Sequence, residues 1–271
     1  MYVPLIARVQ SLPPLPESVL KLEKLFAEGN PDINDLVEII TLDPSLTADI
    51  LSKVNAPFYG FSKKIISVLQ AVTLFGSSQI RSIILASSIQ KDFNIDLSPY
   101  GISTSEFSKI SSMQSELIFQ WYMGINIDLA REITPIAFLM EIGKIFIAKD
   151  ILQKDQKEAF VKDLETYSNL SDLENIYTMM STAEINVLIF KQLHLNKSFS
   201  DSMAYSYNED EIPQSIKETV FALYIVQKIV NVREQFNPDA IEEVLTILEK
   251  NSYNIDSFKR VLKRIEKKYM D

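Results

Sequence analysis

Apolar residues recur three and four positions apart along most of this chain, with polar residues between them, the spacing of helices that bury one face. After an extended entry at Pro13, Pro14 and Pro16, Val19, Leu20, Leu22, Leu25 and Phe26 form a stripe that stops at Gly29-Asn30-Pro31. Asp32 can cap the next helix, with Asp35 favouring its positive end, and Leu36, Val37, Ile39 and Ile40 supply the buried face. Asp43 followed by Pro44 is a cap with proline at the first helical position. Leu46, Ile50, Leu51 and Val54 then repeat at helical spacing as far as Asn55-Ala56-Pro57. Further helices are predicted over 67–75 and 77–91, separated at Gly76. Only 6 glycines occur in 271 residues, too few for a protein built from Gly-centred hairpins, and the fold class is read as all-α.

Between residues 92 and 105 the periodicity is lost, which predicts a boundary between an N-terminal helical bundle over 1–100 and a second helical half over 105–271. In that half the pattern predicts helices over 105–124, 134–150, 155–168, 171–194, 198–208, 213–236, 238–250 and 255–270. The helix over 257–270 is basic and amphipathic. Phe258, Val261, Leu262, Ile265 and Tyr269 lie on one face, and Lys259, Arg260, Lys263, Arg264, Lys267 and Lys268 on the other. The last fourteen residues carry +4 against −13 for the rest of the chain. Such a helix can meet a membrane surface, nucleic acid or an acidic partner, or its cations can complement its own dipole and cover apolar surface with their stems.

Composition narrows the chemistry. With 46% hydrophobic and 23% charged residues the chain has the make-up of an ordinary globular protein, and a net charge of −9 repels nucleic acid and anionic membranes at long range. There is no Cys, which excludes disulfides, thiolate zinc sites and cysteine nucleophiles. One histidine, His194, cannot furnish a di-metal phosphohydrolase centre, which needs several imidazoles. It stands at the end of a helical pattern, where an imidazole can bond the last carbonyls. The N-terminus lacks the basic and apolar blocks of a signal peptide, and the longest charge-free run, 65–80, is too polar and too short to cross about 30 Å of hydrocarbon. A soluble, cytoplasmic protein with no membrane span is expected.

Four blocks stand in a telling order: Leu12-Pro13-Pro14-Leu15-Pro16, Asp43-Pro44-Ser45-Leu46-Thr47, Asn55-Ala56-Pro57-Phe58-Tyr59-Gly60 and Gln70-Ala71-Val72-Thr73-Leu74-Phe75-Gly76. Across about residues 10–95 the chain resembles the HDOD domain (HD-related output domain) of bacterial signalling proteins, in which these blocks belong to an α-helical bundle. The resemblance implies an HD-phosphohydrolase-like second half, whose signature is His-Asp-Ile-Gly-Lys. Here that segment reads Met140-Glu141-Ile142-Gly143-Lys144. Thr182, Ser206 and Tyr207 align where further family histidines stand. A thioether, hydroxyls and a phenol are poor ligands for a divalent metal, so the resemblance implies a degenerate metal site with no bound metal.

Glu141 and Lys144 are the surviving polar members of that signature, three apart on one predicted helix, where they can ion-pair. They form either a structural pair on the wall of the former active site or part of a cleft that binds a ligand or partner. The family pattern places Glu184 near them. Asn55, Phe58 and Tyr59 lie on a turn-bearing loop that either fixes a helix connection or, with Phe61, presents an aromatic anchor to a partner.

No Gly-rich phosphate loop, Ser-His pair or Cys/His cluster replaces the missing ligands. The expected function is therefore a non-enzymatic bacterial signal-transduction or regulatory module that works by protein–protein binding. It needs no cofactor. Its partner is a signalling protein supplied in trans, because no receiver, kinase or cyclic-nucleotide synthase domain is fused to it. The alternative is a divergent metal-dependent phosphohydrolase or nucleotide-binding HD-domain protein using Glu141 and neighbouring carboxylates.

Overall fold

Side-chain caps set many of the helix starts. In a computed structural model, which describes residues 4–29, 31–90, 95–205 and 212–270, Asp32 accepts from Asn34 N to open α3 (Ile33–Thr41) and Asp43 accepts from Leu46 N to open α4 (Pro44–Val54), with Pro44 at the first helical position. Ser67 caps α5 (Val68–Phe75) in the same way. Gly76, at φ +79°, then turns the chain sharply into α6 (Ser77–Gln90). Preceding these are α1 (Leu5–Gln10) and α2 (Glu17–Ala27); following them are α7 (Thr104–Tyr122) and α8 (Ile127–Leu139). The rest are α9 (Gly143–Gln153), α10 (Lys157–Leu164), α11 (Leu170–Thr178), α12 (Thr182–Gln192), α13 (Lys197–Ala204), α14 (Lys217–Ile229), α15 (Pro238–Lys250) and α16 (Ile255–Met270). Among the described residues there is no strand beyond one isolated bridge, Val230 with Gln235, and the protein is all-α. No single described helix is long and apolar enough to cross a membrane.

The helices gather into two units that are interleaved along the chain rather than consecutive. The bundle unit comprises residues 15–92, 115–138 and 256–271; the HD-like unit comprises 1–14, 93–114 and 139–255. The division expected from the loss of periodicity near residue 100 follows the chain. The units follow the apolar faces instead. Phe258, Val261, Leu262, Ile265 and Tyr269 of α16 are all buried, and Trp121 meets Phe258 edge-on with ring centroids 4.9 Å apart. The last helix thereby joins the bundle of α2–α6. In the HD-like unit, α1 packs on α9 and α12, and Arg8 reaches Asp150 at 3.1 Å.

Two predicted elements are divided in the structure, the 213–236 pattern is the shorter helix Lys217–Ile229, and one helix stands where none was predicted. The 134–150 pattern is two helices broken at residues 140–142, and the 171–194 pattern is two broken at Met179–Ser181. The first break lies at the tight approach of Gly143 to its neighbours described below. At the second, Met179 takes a left-handed φ of +62° and Ser181 starts a capping box with Glu184. Helix α1 was not expected, since its six residues are too few for a readable period.

Within α4 the buried positions are Leu46, Ile50 and Val54, whereas Leu51 is only half-buried. Ile50 is completely buried. Ile50→Ala is therefore expected to destabilise by about 2–5 kcal/mol and Leu51→Ala by about 1 kcal/mol. Chemical denaturation midpoints check this, and an equal or reversed order would contradict the helical phase.

Candidate functional site

Two helix N-termini and one lysine define the polar centre of the HD-like unit. α9 starts at Gly143 because its first turn presses against the first turn of α12. A Cβ built on Gly143 would lie 2.6 Å from the Thr182 carbonyl oxygen and 2.9 Å from Asn186 Oδ1. Asn186 fixes this approach, its Oδ1 accepting from Gly143 N at 2.8 Å and its Nδ2 donating to Met140 O at 2.7 Å. The glycine of the signature segment is thus a packing requirement of this crossing.

Lys144 sits one residue into α9 and is 97% buried. Its Nζ lies 2.9 Å from Glu141 Oε2 and donates to Glu174 Oε1 and Thr182 Oγ1, each at 3.0 Å. The Tyr100 ring lies beneath it, 5.5 Å from Nζ to centroid. Glu174 is fully buried and fully engaged: Oε1 accepts also from Tyr100 OH and Thr182 Oγ1, and Oε2 accepts from Thr182 N at 2.7 Å, at the positive end of α12. Glu141 Oε1 accepts from Gln114 Nε2 at 3.1 Å and Gln227 Nε2 at 3.2 Å. Burial, and then the Glu174 carboxylate, push the Tyr100 phenol well above its ordinary range.

The sequence-predicted residues are only partly brought together. Glu141 and Lys144 do ion-pair, but Glu141 stands in the turn before α9, not on one helix face with Lys144. Glu184, expected beside them, is exposed and serves the α12 cap instead, accepting from Ser181 N at 2.7 Å. The second carboxylate at the centre is Glu174, which sequence reasoning missed. The available signal was its place beside buried Leu173 and four residues before buried Thr178, an acidic residue in core phase. Met140 is buried and Thr182 serves as a hydrogen-bond relay, whereas Ser206 and Tyr207 lie outside the described residues. No group of three or more His, Asp or Glu side chains able to hold a metal is present among the described residues.

His194 is exposed with φ +53°. Its own backbone N–H donates to Lys191 O and Leu195 N donates to Phe190 O, the bond pair of a Schellman turn, so the last carbonyls of α12 are met by backbone rather than by imidazole.

The aromatic loop belongs to the bundle unit. Asn55 is its clamp, donating to Leu51 O at 2.7 Å and Ile65 O at 2.8 Å and accepting from Ile65 N at 2.8 Å. Tyr59 is buried, with Phe75 edge-on at 4.7 Å and Phe58 at 4.5 Å. Phe58 in turn lies 6.4 Å from the Tyr269 ring of α16. Of the three aromatics, Phe61 is the exposed one, at 43%.

An all-α fold with a polar centre between two helix starts places the chain in the class of HD-related domains. The chain belongs to the HDOD domain family, which it matches over residues 12–209. A virulence factor of Campylobacter jejuni subsp. jejuni has a similar structure, with TM-score 0.61, 25% identity, and coverage of 98% of this chain and 96% of that one. A protein of Shewanella amazonensis SB2B named as a candidate phosphohydrolase superposes with TM-score 0.71 at 15% identity, covering 98% and 95%. An HDOD domain protein from Geobacter sulfurreducens gives TM-score 0.59 at 15% identity over 98% of each chain. An uncharacterised protein of Treponema pallidum (strain Nichols) is 25% identical over 77 residues, a match spanning 28% of this chain and 15% of that relative's length.

Two predictions follow from the geometry of the centre. Gly143→Ala is expected to destabilise by about 1–3 kcal/mol, because backbone rather than a flexible side chain meets the new methyl; an unchanged denaturation midpoint would refute the close approach. For Tyr100, the folded-state pKa lies above the unfolded value of about 10, so its hydrogen bond contributes fully below pH 10 and is lost as pH rises through the folded value. The stability gap between wild type and Tyr100→Phe, measured by denaturation from pH 7 upward, is expected to be constant below pH 10 and to narrow above it.

Proposed function

We propose that this HDOD protein is a non-catalytic signal-transduction module that acts in the cytoplasm by binding a signalling protein supplied in trans. One observation carries the reading: the chain's own ammonium group, Lys144 Nζ, occupies the space between the two buried carboxylates of the centre, at 2.9 Å from Glu141 and 3.0 Å from Glu174. A carboxylate pair already bridged by an ammonium and buried in this way offers a divalent cation neither open ligands nor a seat for the water it would activate. Met140 adds a thioether where the family signature carries a histidine, a poor match to a hard metal.

The competing reading is a divergent metal-dependent phosphohydrolase, and it takes its support from structural neighbours that carry that name. The two separate cleanly. Protein purified without chelator is expected to contain less than a stoichiometric amount of Mn, Fe or Zn by elemental analysis. It is also expected to leave bis(p-nitrophenyl) phosphate, cyclic dinucleotides and nucleoside phosphates intact when Mn²⁺ or Mg²⁺ is supplied. One equivalent of bound metal with turnover abolished in Glu141→Ala would establish the phosphohydrolase instead.

A further inference from the structure

The bundle unit carries a surface that the polar centre does not use. A groove of about 580 Å³ runs between α5, the end of α7, α8 and α16. Its apolar lining is unusually open for a protein interior: Leu74 is 57% exposed, Met123 51% and Phe61 43%. At Thr73 and Leu74 it adjoins a second depression of about 430 Å³, bordered by Leu69, Lys63 and Lys64. The two share that edge and together form a largely apolar track at the upper end of small-ligand pocket sizes, about 300–1,000 Å³.

Cations stand at both ends of the track. Lys63 and Lys64 border one end, and Arg131, Arg264 and Lys268 the other. Lys268 is neutralised by Glu116 at 2.7 Å, and Arg131 by Asp128 at 3.1 Å. Arg264 donates to the Gln120 amide oxygen at 3.2 Å, and the groove's own carboxylate, Glu116, is taken up by Lys268, Tyr269 and Gln120. This positive rim belongs to a chain whose net charge is −9. The apolar face of α16 is buried within the unit, so the helix has no free face to lay into a lipid surface.

From these observations we infer that the track takes an amphipathic, acidic helix of a partner protein, its apolar side chains seated on Phe61, Leu74 and Met123 and its carboxylates facing Arg264 and Lys63–Lys64. Helix-in-groove recognition uses this combination of an apolar floor with a charged margin that fixes register. The inference rests on the protein-binding reading above and names the chemistry of the partner and the surface it uses.

The test uses the 271-residue chain and a fluorescein-labelled helical peptide of about 18 residues, five turns long, with leucine on one face and glutamate on the other. A second peptide keeps the leucines and replaces glutamate with lysine. By fluorescence anisotropy the glutamate peptide is expected to bind at least about tenfold more tightly than the lysine peptide, with affinity falling as salt is raised. Arg264→Glu is expected to weaken it about tenfold, and Leu74→Ser and Met123→Ser each about fivefold, with thermal midpoints near wild type. Lys250→Glu, exposed on α15 of the other unit, is the charge control and is expected to leave binding unchanged.

Equal affinity for both peptides, or equal loss from Lys250→Glu, would reduce the effect to unspecific attraction and overturn the inference. So would displacement of the peptide by decanoate, which would assign the track to a small amphiphile. Binding of the protein to phosphatidylglycerol vesicles that is lost in Arg264→Glu would assign it to a membrane. Absence of peptide binding in a protein that hydrolyses nothing overturns the track alone, whereas metal-dependent turnover overturns the non-catalytic reading whatever the peptide does.

Discussion

A single buried ammonium, Lys144, stands at the polar centre of the HD-like unit and joins α9, α11 and α12. Glu141 and Glu174 are each removed from water at a cost of several kcal/mol, and Lys144 brings its own desolvation cost to the same point. What makes the arrangement viable is that hardly a polar atom of Glu174, Lys144 and Thr182 is left without a partner. Two carboxylates against one lysine leave an excess negative charge, and the positive ends of α9 and α12 converge on it. The close contact of those two helix starts is in turn possible only because residue 143 has no side chain. Packing and electrostatics here are one constraint: separating the helices to admit a side chain would draw the Thr182 hydroxyl away from the Lys144 ammonium that donates to it.

This view also accounts for what could and could not be read from residue order. Caps and prolines in the first half act within four residues, and so Asp32 and Asp43 mark their helices correctly before any tertiary contact is known. The family resemblance located Glu141, Lys144 and Thr182 through the signature segment and the segment aligned to it. It did not locate Glu174 or Tyr100, whose roles arise where segments 74 residues apart meet: the core phase of Glu174 can mark it as buried but not name its partner. Glu184 misled for the converse reason. An acidic residue three positions after a serine at a helix start has a strong local use, and that use prevailed over any distant one. The breaks at 140–142 and 179–181 were missed because apolar residues continue through them. Periodicity registers apolar residues and not their exposure: residues 140–142 are buried, whereas Met179 is 86% exposed.

In the bundle unit the strongest determinant is the closing helix. α16 looks from its sequence like a basic amphipathic segment in search of a surface, and the structure shows that its apolar side has found one within the unit, against Trp121 and the aromatic loop. Tyr269 completes the join, donating to Glu116 at 2.7 Å from a phenol that burial, and then the Glu116 carboxylate, hold far above its usual range. Phe58 and Tyr59 are consequently occupied in holding that helix. The charges of α16 remain outward, which is why one helix can serve as both a core element and the positive wall of a groove.

The 153-residue separation of Glu116 and Tyr269 has a consequence for biosynthesis. Residues 15–138 leave the ribosome long before α16 is made, and until it arrives Trp121, Tyr59 and the neighbouring apolar side chains have no cover on that side. Intermediates of this sort fold late and expose adhesive surface while they wait. The nascent bundle must therefore persist through translation of the whole HD-like segment in an unfinished form, a stage at which chaperone occupancy and translation speed, rather than the stability of the finished protein, govern how much of it is recovered.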